Sequence, residues 1–358
     1  MKKHNFFAGP AILPASVLQE ASQAAADLNG MGLSILEISH RSPEFVAILD
    51  EAVDLVRELL DLSDEYAVLF LTGGASSQFF MAPMNILNEN ETALYVDTGS
   101  WASKANKEAK HFGQTNVIAS SKDKNYNYIP KDLNIPADAR YLHLTSNNTI
   151  FGTQLHEWPE TQVPFVADMS SDIFSRPIDT SRYDLIYAGA QKNMGPAGTT
   201  LVIVKKDILG KVNRSIPTML DYRTHVNKNS SFNTPPVFPI YVSMLTMRWV
   251  KAQGGLKAMA MHNQKKAQLL YQEIDANPLF KGTAALEDRS LMNVTFVLKP
   301  EQEALQADFL SACKEAACLG VKGHRSVGGF RASIYNAMPI ESVQVLVDVM
   351  QNFAQKFG

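Results

Sequence analysis

The chain has 358 residues, 46% hydrophobic and 19% charged, with a formal net charge of −3. That composition fits a folded protein and excludes an intrinsically disordered one, and the near-balanced charge predicts no general attraction to nucleic acid or to an anionic membrane. A single core rarely grows beyond ~250–300 residues, so two domains are expected.

The N-terminus reads MKKHNFFAGPAILP. Lys2 and Lys3 are not followed by an apolar run of signal-peptide length before Pro10 and Pro14. No stretch approaches the ~18 apolar residues of a membrane span. Only two cysteines occur, Cys313 and Cys318, in CKEAAC, which reads as part of one amphipathic helix over 302–318. A reducing, cytoplasmic compartment is the expectation.

Residues 15–28 are rich in helix formers and stop at Asn29-Gly30. A second helix opens on Ser42 as N-cap, with Pro43 in its first turn and Glu44 beside the helix dipole. Phe45, Ile48, Leu49, Ala52, Val53, Val56, Leu59 and Leu60 then recur at helical spacing. From residue 66 short apolar runs alternate with loops and helices: 66–71, 92–96, 115–119, 141–145, 164–168, 184–189 and 199–204. Such unbroken runs suit strands covered on both faces, and helical stretches at 76–88 and 100–112 complete a βαβ rhythm. Residues 237–275 read as helix, interrupted at Gly254-Gly255. The last hundred residues read as strand 292–298, helix 302–318, strand 330–335 and helix 340–355. The expected architecture is α/β: a large domain over 15–255, with a mostly parallel sheet sandwiched by helices, and a smaller α+β domain over 256–358 joined by residues 1–14.

Ligands of open α/β sheets sit beyond the carboxyl ends of the strands. Three features follow strand ends. Thr72-Gly73-Gly74-Ala75-Ser76-Ser77 joins a strand to a helix, and the helix N-terminus there offers free N–H groups to an anion; a plain glycine turn is the bland alternative. Neither GxGxxG nor GxxxxGK[ST] is present. Asp168 ends an apolar run, where a carboxylate needs a partner, or else caps the next turn through Ser170 or Ser171. Lys192 follows a buried strand in DLIYAGAQKNMGPAG. A desolvated lysine becomes a nucleophile able to form a Schiff base, whereas an ordinary one snorkels to the rim. Together an anion nest, a carboxylate and a lysine match the needs of pyridoxal phosphate, with Trp101 as a surface for the ring.

The motifs NFFAGPAILP, SHRSPEF, LTGGASSQF, DTGSWASKA, NNTIFGT, VADMSSDI, YAGAQKNMGPAG, FNTPPVF and KGHRSVGGFRASIYNAM occur in this order. In them the chain resembles the phosphoserine aminotransferases, class V pyridoxal-phosphate enzymes of fold type I. The resemblance implies Lys192 as the Schiff-base lysine and Asp168 as the partner of the pyridine nitrogen. Ala75, Ser76 and Gln191 would hold the cofactor phosphate, Trp101 would stack on the ring, and Thr149 would bond its hydroxyl. Asn233 and Thr234 would reach the neighbouring subunit's cofactor, which implies a homodimer. Arg325 would take the substrate α-carboxylate, and His40, Arg41, His324 and Arg331 the phosphate or side-chain carboxylate. Ser76 stands where some members carry arginine, and Ala8 where some carry serine. No metal is implied.

The implied reaction is ping-pong transamination between L-glutamate and 3-phosphohydroxypyruvate, in serine biosynthesis, with the 4-phosphohydroxythreonine pair of vitamin B6 synthesis used by some members. Two rival classes stay open on the residues: another class V enzyme, of alanine–glyoxylate aminotransferase or cysteine desulfurase type, and an inactive binding protein on the same fold.

Overall fold

The computed structural model describes residues 3–358. In chain order the elements are β1 (His4–Asn5), α1 (Ala15–Ala26), α2 (Pro43–Leu60), β2 (Tyr66–Leu71), α3 (Gly74–Ile86), β3 (Thr92–Asp97), α4 (Ser100–Ala109) and β4 (Gln114–Ser120). There follow β5 (Tyr141–Thr145), β6 (Phe165–Asp168), β7 (Tyr183–Gly189), β8 (Thr200–Lys205), α5 (Tyr222–Asn227), α6 (Val237–Ala252) and α7 (Gly255–Ala276). The chain closes with β9 (Phe280–Gly282), β10 (Asn293–Leu298), α8 (Gln306–Glu315), β11 (Cys318–Leu319), β12 (Phe330–Ser333) and α9 (Ile340–Phe357).

Seven strands form the main sheet in the order β2-β8-β7-β6-β5-β3-β4. All run parallel except β8, which is antiparallel to both its neighbours. Its two faces feed separate apolar clusters. Leu142, Leu144, Phe165 and Ile186 pack under α1, α2 and α6, while Tyr95, Tyr141, Leu185 and Tyr187 pack under α3 and α4. The central strands are buried at every residue, as double coverage requires. β4 departs from that expectation: it is the sheet edge, mostly exposed or half-buried, with Val117 41% exposed. Its apolar run resembles those of the central strands, yet β4 has a strand neighbour, β3, on one side only.

A second sheet, β12-β10-β9, is antiparallel and packs with α8, α9 and the second half of α7 around Phe280, Phe296, Phe309, Phe330 and Phe353. Helix α7 spans both cores: Leu256 and Met259 belong to the first, Ala267, Leu270 and Ile274 to the second. Strand β1 pairs with β11, and Phe6 enters the second core. The expected helix 302–318 is shorter. A 3₁₀ turn over Pro300–Leu305 leads into α8, and Ala317 takes a left-handed conformation (φ 59°) that ends it. Cys318 therefore lies in β11 and not on the helix with Cys313. Among the described residues no helix is long and apolar enough to cross a membrane.

Helix α2 begins as its sequence requires. The Ser42 side chain accepts from the Phe45 N–H, Pro43 fills the first turn, and Phe45, Leu49, Ala52, Val56 and Leu60 face the core.

Candidate active site

Strand register brings the site together. Thr145 pairs with Asp168, and Asp168 with Tyr187. Leu71 and Gly189 both lie opposite Thr200 of β8, so β2 and β7 end level on the same edge. That edge carries Thr72–Gly74, Thr98–Trp101, Ser146–Thr149, Asp168–Ser171 and Gln191–Lys192.

The turn after β2 has Gly73 and Gly74 at φ 93° and 65°, conformations that strain other residues. Helix α3 starts there, and its first N–H groups have no intrahelical acceptor. Ala75 is half-buried and Ser76 exposed, both in that first turn. Asn233 borders a cavity of about 150 Å³ together with Thr72, Gly73 and Ser77. Thr234 beside it is exposed.

Asp168 is 5% exposed. Its Oδ1 accepts from the backbone N–H and hydroxyl of Ser170, at 2.9 and 2.6 Å, so the cap read from the sequence forms. No protein donor reaches Oδ2 among the described residues. The Ser170 hydroxyl in turn accepts from the Gly189 N–H at 3.1 Å, tying the acid to the strand that delivers Lys192.

The Lys192 Nζ donates to Thr149 Oγ1 at 2.8 Å and lies 5.7 Å from the centroid of the Trp101 ring. Burial holds its pKa below the ordinary lysine value, against the pull of Asp168; Arg331 lowers it further. Burial likewise raises the Asp168 carboxyl, opposed chiefly by Lys192. Gln191 is half-buried, and its backbone carbonyl accepts from the Ala11 N–H at 2.9 Å.

Arg331 Nη1 donates to the carbonyl of the same Thr149, at 3.1 Å. Its guanidinium is depressed by burial, and Nε has no partner. His324 is lowered by burial, then by Arg331, Arg325 and Lys104. Lys104 sits 4.6 Å from the Trp101 centroid. Among the described residues no carboxylate forms an ion pair with Lys192, Lys104, Arg325 or Arg331. Of these, Lys104 and Arg325 are exposed, so the cost of an uncompensated charge falls on the half-buried Arg331, which an anion would relieve.

Lys192, Thr149 and Arg331 are thus joined directly, with Trp101 and Asp168 beside Lys192. His324 meets this group only through the charge of Arg331, and the exposed Arg325 only through its own charge on His324. Among the described residues no hydrogen bond or ion pair links His40 or Arg41 to this group. They form the turn before α2, where Arg41 is exposed and His40 Nε2 is buried without a partner. Sequence reasoning missed Lys104, whose position one helical turn after Trp101 was the available signal. It also missed Asp172, a second buried acid bound by Ser146 and by Gln154, with Arg176 at 3.7 Å.

The aminotransferase class-V family matches residues 4–346. The phosphoserine aminotransferase of Flavobacterium johnsoniae is 61% identical over 357 residues, covering 99% of this chain and all of that one. The solved phosphoserine aminotransferase from Bacillus circulans subsp. alkalophilus superposes with a TM-score of 0.96 at 48% identity, covering 100% and 99% of the two chains. The PLP-bound phosphoserine aminotransferase from Trichomonas vaginalis gives 0.93 at 36% identity, covering 98% and 100%. The chain belongs to the class-V aminotransferases, and within them to the phosphoserine aminotransferase family.

Proposed function

We propose that this protein is a pyridoxal-phosphate aminotransferase that moves the amino group of L-glutamate to 3-phosphohydroxypyruvate, giving 2-oxoglutarate and O-phospho-L-serine. The carrying observation is Lys192, its pKa lowered by burial, held by Thr149 and in the field of the buried Asp168, with Arg331 anchored on the same Thr149. Groups with no protein partner among the described residues fit the cofactor, Asp168 Oδ2 for a ring N–H and the α3 N-terminus with Ala75, Ser76 and Gln191 for the phosphate, and Trp101 beside Lys192 offers a surface for the ring. Pyridoxal phosphate, when bound, supplies an aldehyde for the amino group and a pyridinium that withdraws electrons from the substrate α-carbon.

In this reading Lys192 Nζ takes the proton from the substrate α-carbon and returns it on the other side of the exchange. Burial favours the neutral amine that this needs. Thr149 Oγ1 aims that nitrogen, and would bond the ring hydroxyl of the bound cofactor. Asp168 holds the ring-nitrogen proton, with Ser170 fixing its orientation.

The resemblance gives the α-carboxylate to Arg325, but the geometry supports Arg331. The α-carboxylate is borne by the same carbon that Lys192 must reach. Arg331 and Lys192 are both anchored on Thr149, whereas Arg325 is exposed. We therefore assign Arg331 to the α-carboxylate, and Arg325 and His324 to the phosphate; His40 and Arg41 stay with the phosphate on the resemblance alone. Arg331→Ala should lower kcat/KM for both substrates by roughly 10²–10³-fold, the loss of a desolvated charge pair. Arg325→Ala should raise KM a few-fold for the phosphorylated acceptor and less for glutamate, whose side-chain carboxylate carries less charge into the same place, with kcat kept. The reverse pattern in steady-state assays would restore the original assignment.

The deciding experiment is a coupled assay with glutamate against phosphorylated and plain 2-oxo acids. Hydroxypyruvate should be a much poorer acceptor than its phosphorylated form, and sulfate should compete with the latter. Equal rates with both acceptors would remove the proposed specificity. A desulfurase needs a reactive thiolate. Burial pushes Cys313 up to about 12 and Cys318 to about 11, which counts against that rival.

We also propose a homodimer in the cytoplasm, dividing as 15–255 and 256–358 with residues 1–14 joining the smaller unit. Met31, Leu33, Leu36, Val46, Met219 and Phe232 are each at least 40% exposed, in the segments that carry His40, Arg41, Asn233 and Thr234. Light scattering should give about twice the 39.5 kDa chain mass; a monomer at working concentrations would contradict it.

A further inference from the structure

Three successive carbonyls downstream of Asp168 are each held by a different asparagine. Ile173 O accepts from Asn193 Nδ2 at 2.6 Å, Phe174 O from Asn336 Nδ2 at 2.8 Å, and Ser175 O from Asn263 Nδ2 at 3.2 Å. The asparagines are also joined to one another. Asn336 donates its backbone N–H to Asn193 Oδ1 at 2.9 Å, and its Oδ1 accepts from Asn263 Nδ2 at 2.8 Å. All three are at most 6% exposed. Phe174, at the centre, has φ 59°, a backbone conformation that persists in a non-glycine residue only when its surroundings fix it.

One turn along α7 from Asn263 lies Lys266, 3% exposed. Its Nζ donates to the carbonyls of Tyr335, Ile334 and Asn336, at 2.7, 3.0 and 3.5 Å. Among the described residues no carboxylate pairs with it, and burial alone lowers it to about 7. This is the part of α7 where the helix passes from the first core to the second. The clasp therefore joins four segments: the loop after β6, which follows Asp168; the residue after Lys192; residues 334–336, which follow β12 with its Arg331; and α7.

We propose that Lys266 is a positioning residue for Lys192, acting through Asn336 and Asn193 to fix the lysine loop against the Asp168 loop. A buried ammonium satisfied only by carbonyls is a poor device for stability, since an apolar side chain of similar length would avoid its desolvation. It is a good device for register, because three convergent acceptors permit one placement of residues 334–336. Asn336 then has its N–H and its amide set toward Asn193 and Phe174 together. The inference rests on Lys192 being the Schiff-base lysine.

The test uses the holoenzyme and the variants Lys266→Met, Asn193→Ala and their combination. In the wild type, the pH midpoint of the visible absorbance band reports the placement of Lys192 against Asp168. Absence of that band in the wild type, or its survival in Lys192→Ala, would sink the underlying Schiff-base reading and not the clasp as such. Given the band, Lys266→Met should move its midpoint by half a pH unit or more and lower kcat about tenfold, with KM for glutamate within twofold. Hydrogen exchange at the Asn336 amide should quicken in the same variant. In the Asn193→Ala background the Lys266 substitution should add less than its full midpoint shift, because the arm through Asn193 is already cut and only the one through Phe174 remains. A Lys266→Met protein with an unchanged midpoint, or shifts that add in full in the double variant, overturns the proposal. Should Lys266→Met fail to fold, Asn193→Ala alone decides: an unmoved midpoint is equally fatal.

Discussion

Lys192→Ala should abolish the visible absorbance of the purified protein and lower kcat by roughly 10⁴-fold, the upper end of what a positioned proton-transfer group supplies. The size of the effect follows from the absence of a substitute. Lys192 Nζ is held at 2.8 Å by Thr149 Oγ1 and sits in the field of Asp168. Lys104 approaches the same Trp101 ring, but it is exposed on α4. Lys192→Arg should fail nearly as completely, because a guanidinium stays protonated and cannot act as the nucleophile. A small primary amine added to the alanine variant should restore part of the rate, since the crevice and Asp168 survive the truncation. The measurements are the absorbance spectrum and single-turnover kinetics with glutamate. A band that persists in the alanine variant would remove Lys192 from the mechanism.

The residues that make this prediction possible were legible in the sequence for a physical reason. The runs before Asp168 and Lys192 are unbroken and apolar, as strands buried on two faces must be, and a charged residue directly after such a run stands at the sheet edge. The Ser42-Pro43 start of α2 was equally plain, because capping chemistry is local. What could not be read was set by partners distant in the chain. Strands β1 and β11 have two residues each and exist only because His4 meets Cys318. The exposure of β4 depends on which strand ends the sheet, and 115–119 carries no mark of it. Arg331 looked like one of several cations; its bond to the Thr149 carbonyl, 182 residues away, separates it from Arg325. The asparagine clasp likewise draws on positions 193, 263 and 336, which share no motif.

Asp168→Asn should produce two effects of opposite sign. Asparagine has the same shape and can still accept both Ser170 bonds at Oδ1, so the loop after β6 should keep its geometry. Burial raises the Asp168 carboxyl above its ordinary 3.8 in the protein without cofactor. Between that value and the higher folded one, the native state binds more protons than the unfolded chain, so stability falls as pH rises through this window. The cost remains at pH 7, and a neutral amide removes it. The cofactor-free variant should therefore melt at the same temperature as the wild type or above it. Activity should move the other way. An amide carries no negative charge to hold the ring-nitrogen proton, and kcat should fall by roughly 10²–10³-fold, as when one preorganised electrostatic partner is lost. Differential scanning fluorimetry of the cofactor-free proteins and kcat of the loaded ones give both numbers. A kcat within twofold of wild type would refute the role given to Asp168, whereas a loss of both stability and activity would mean that its charge serves the fold.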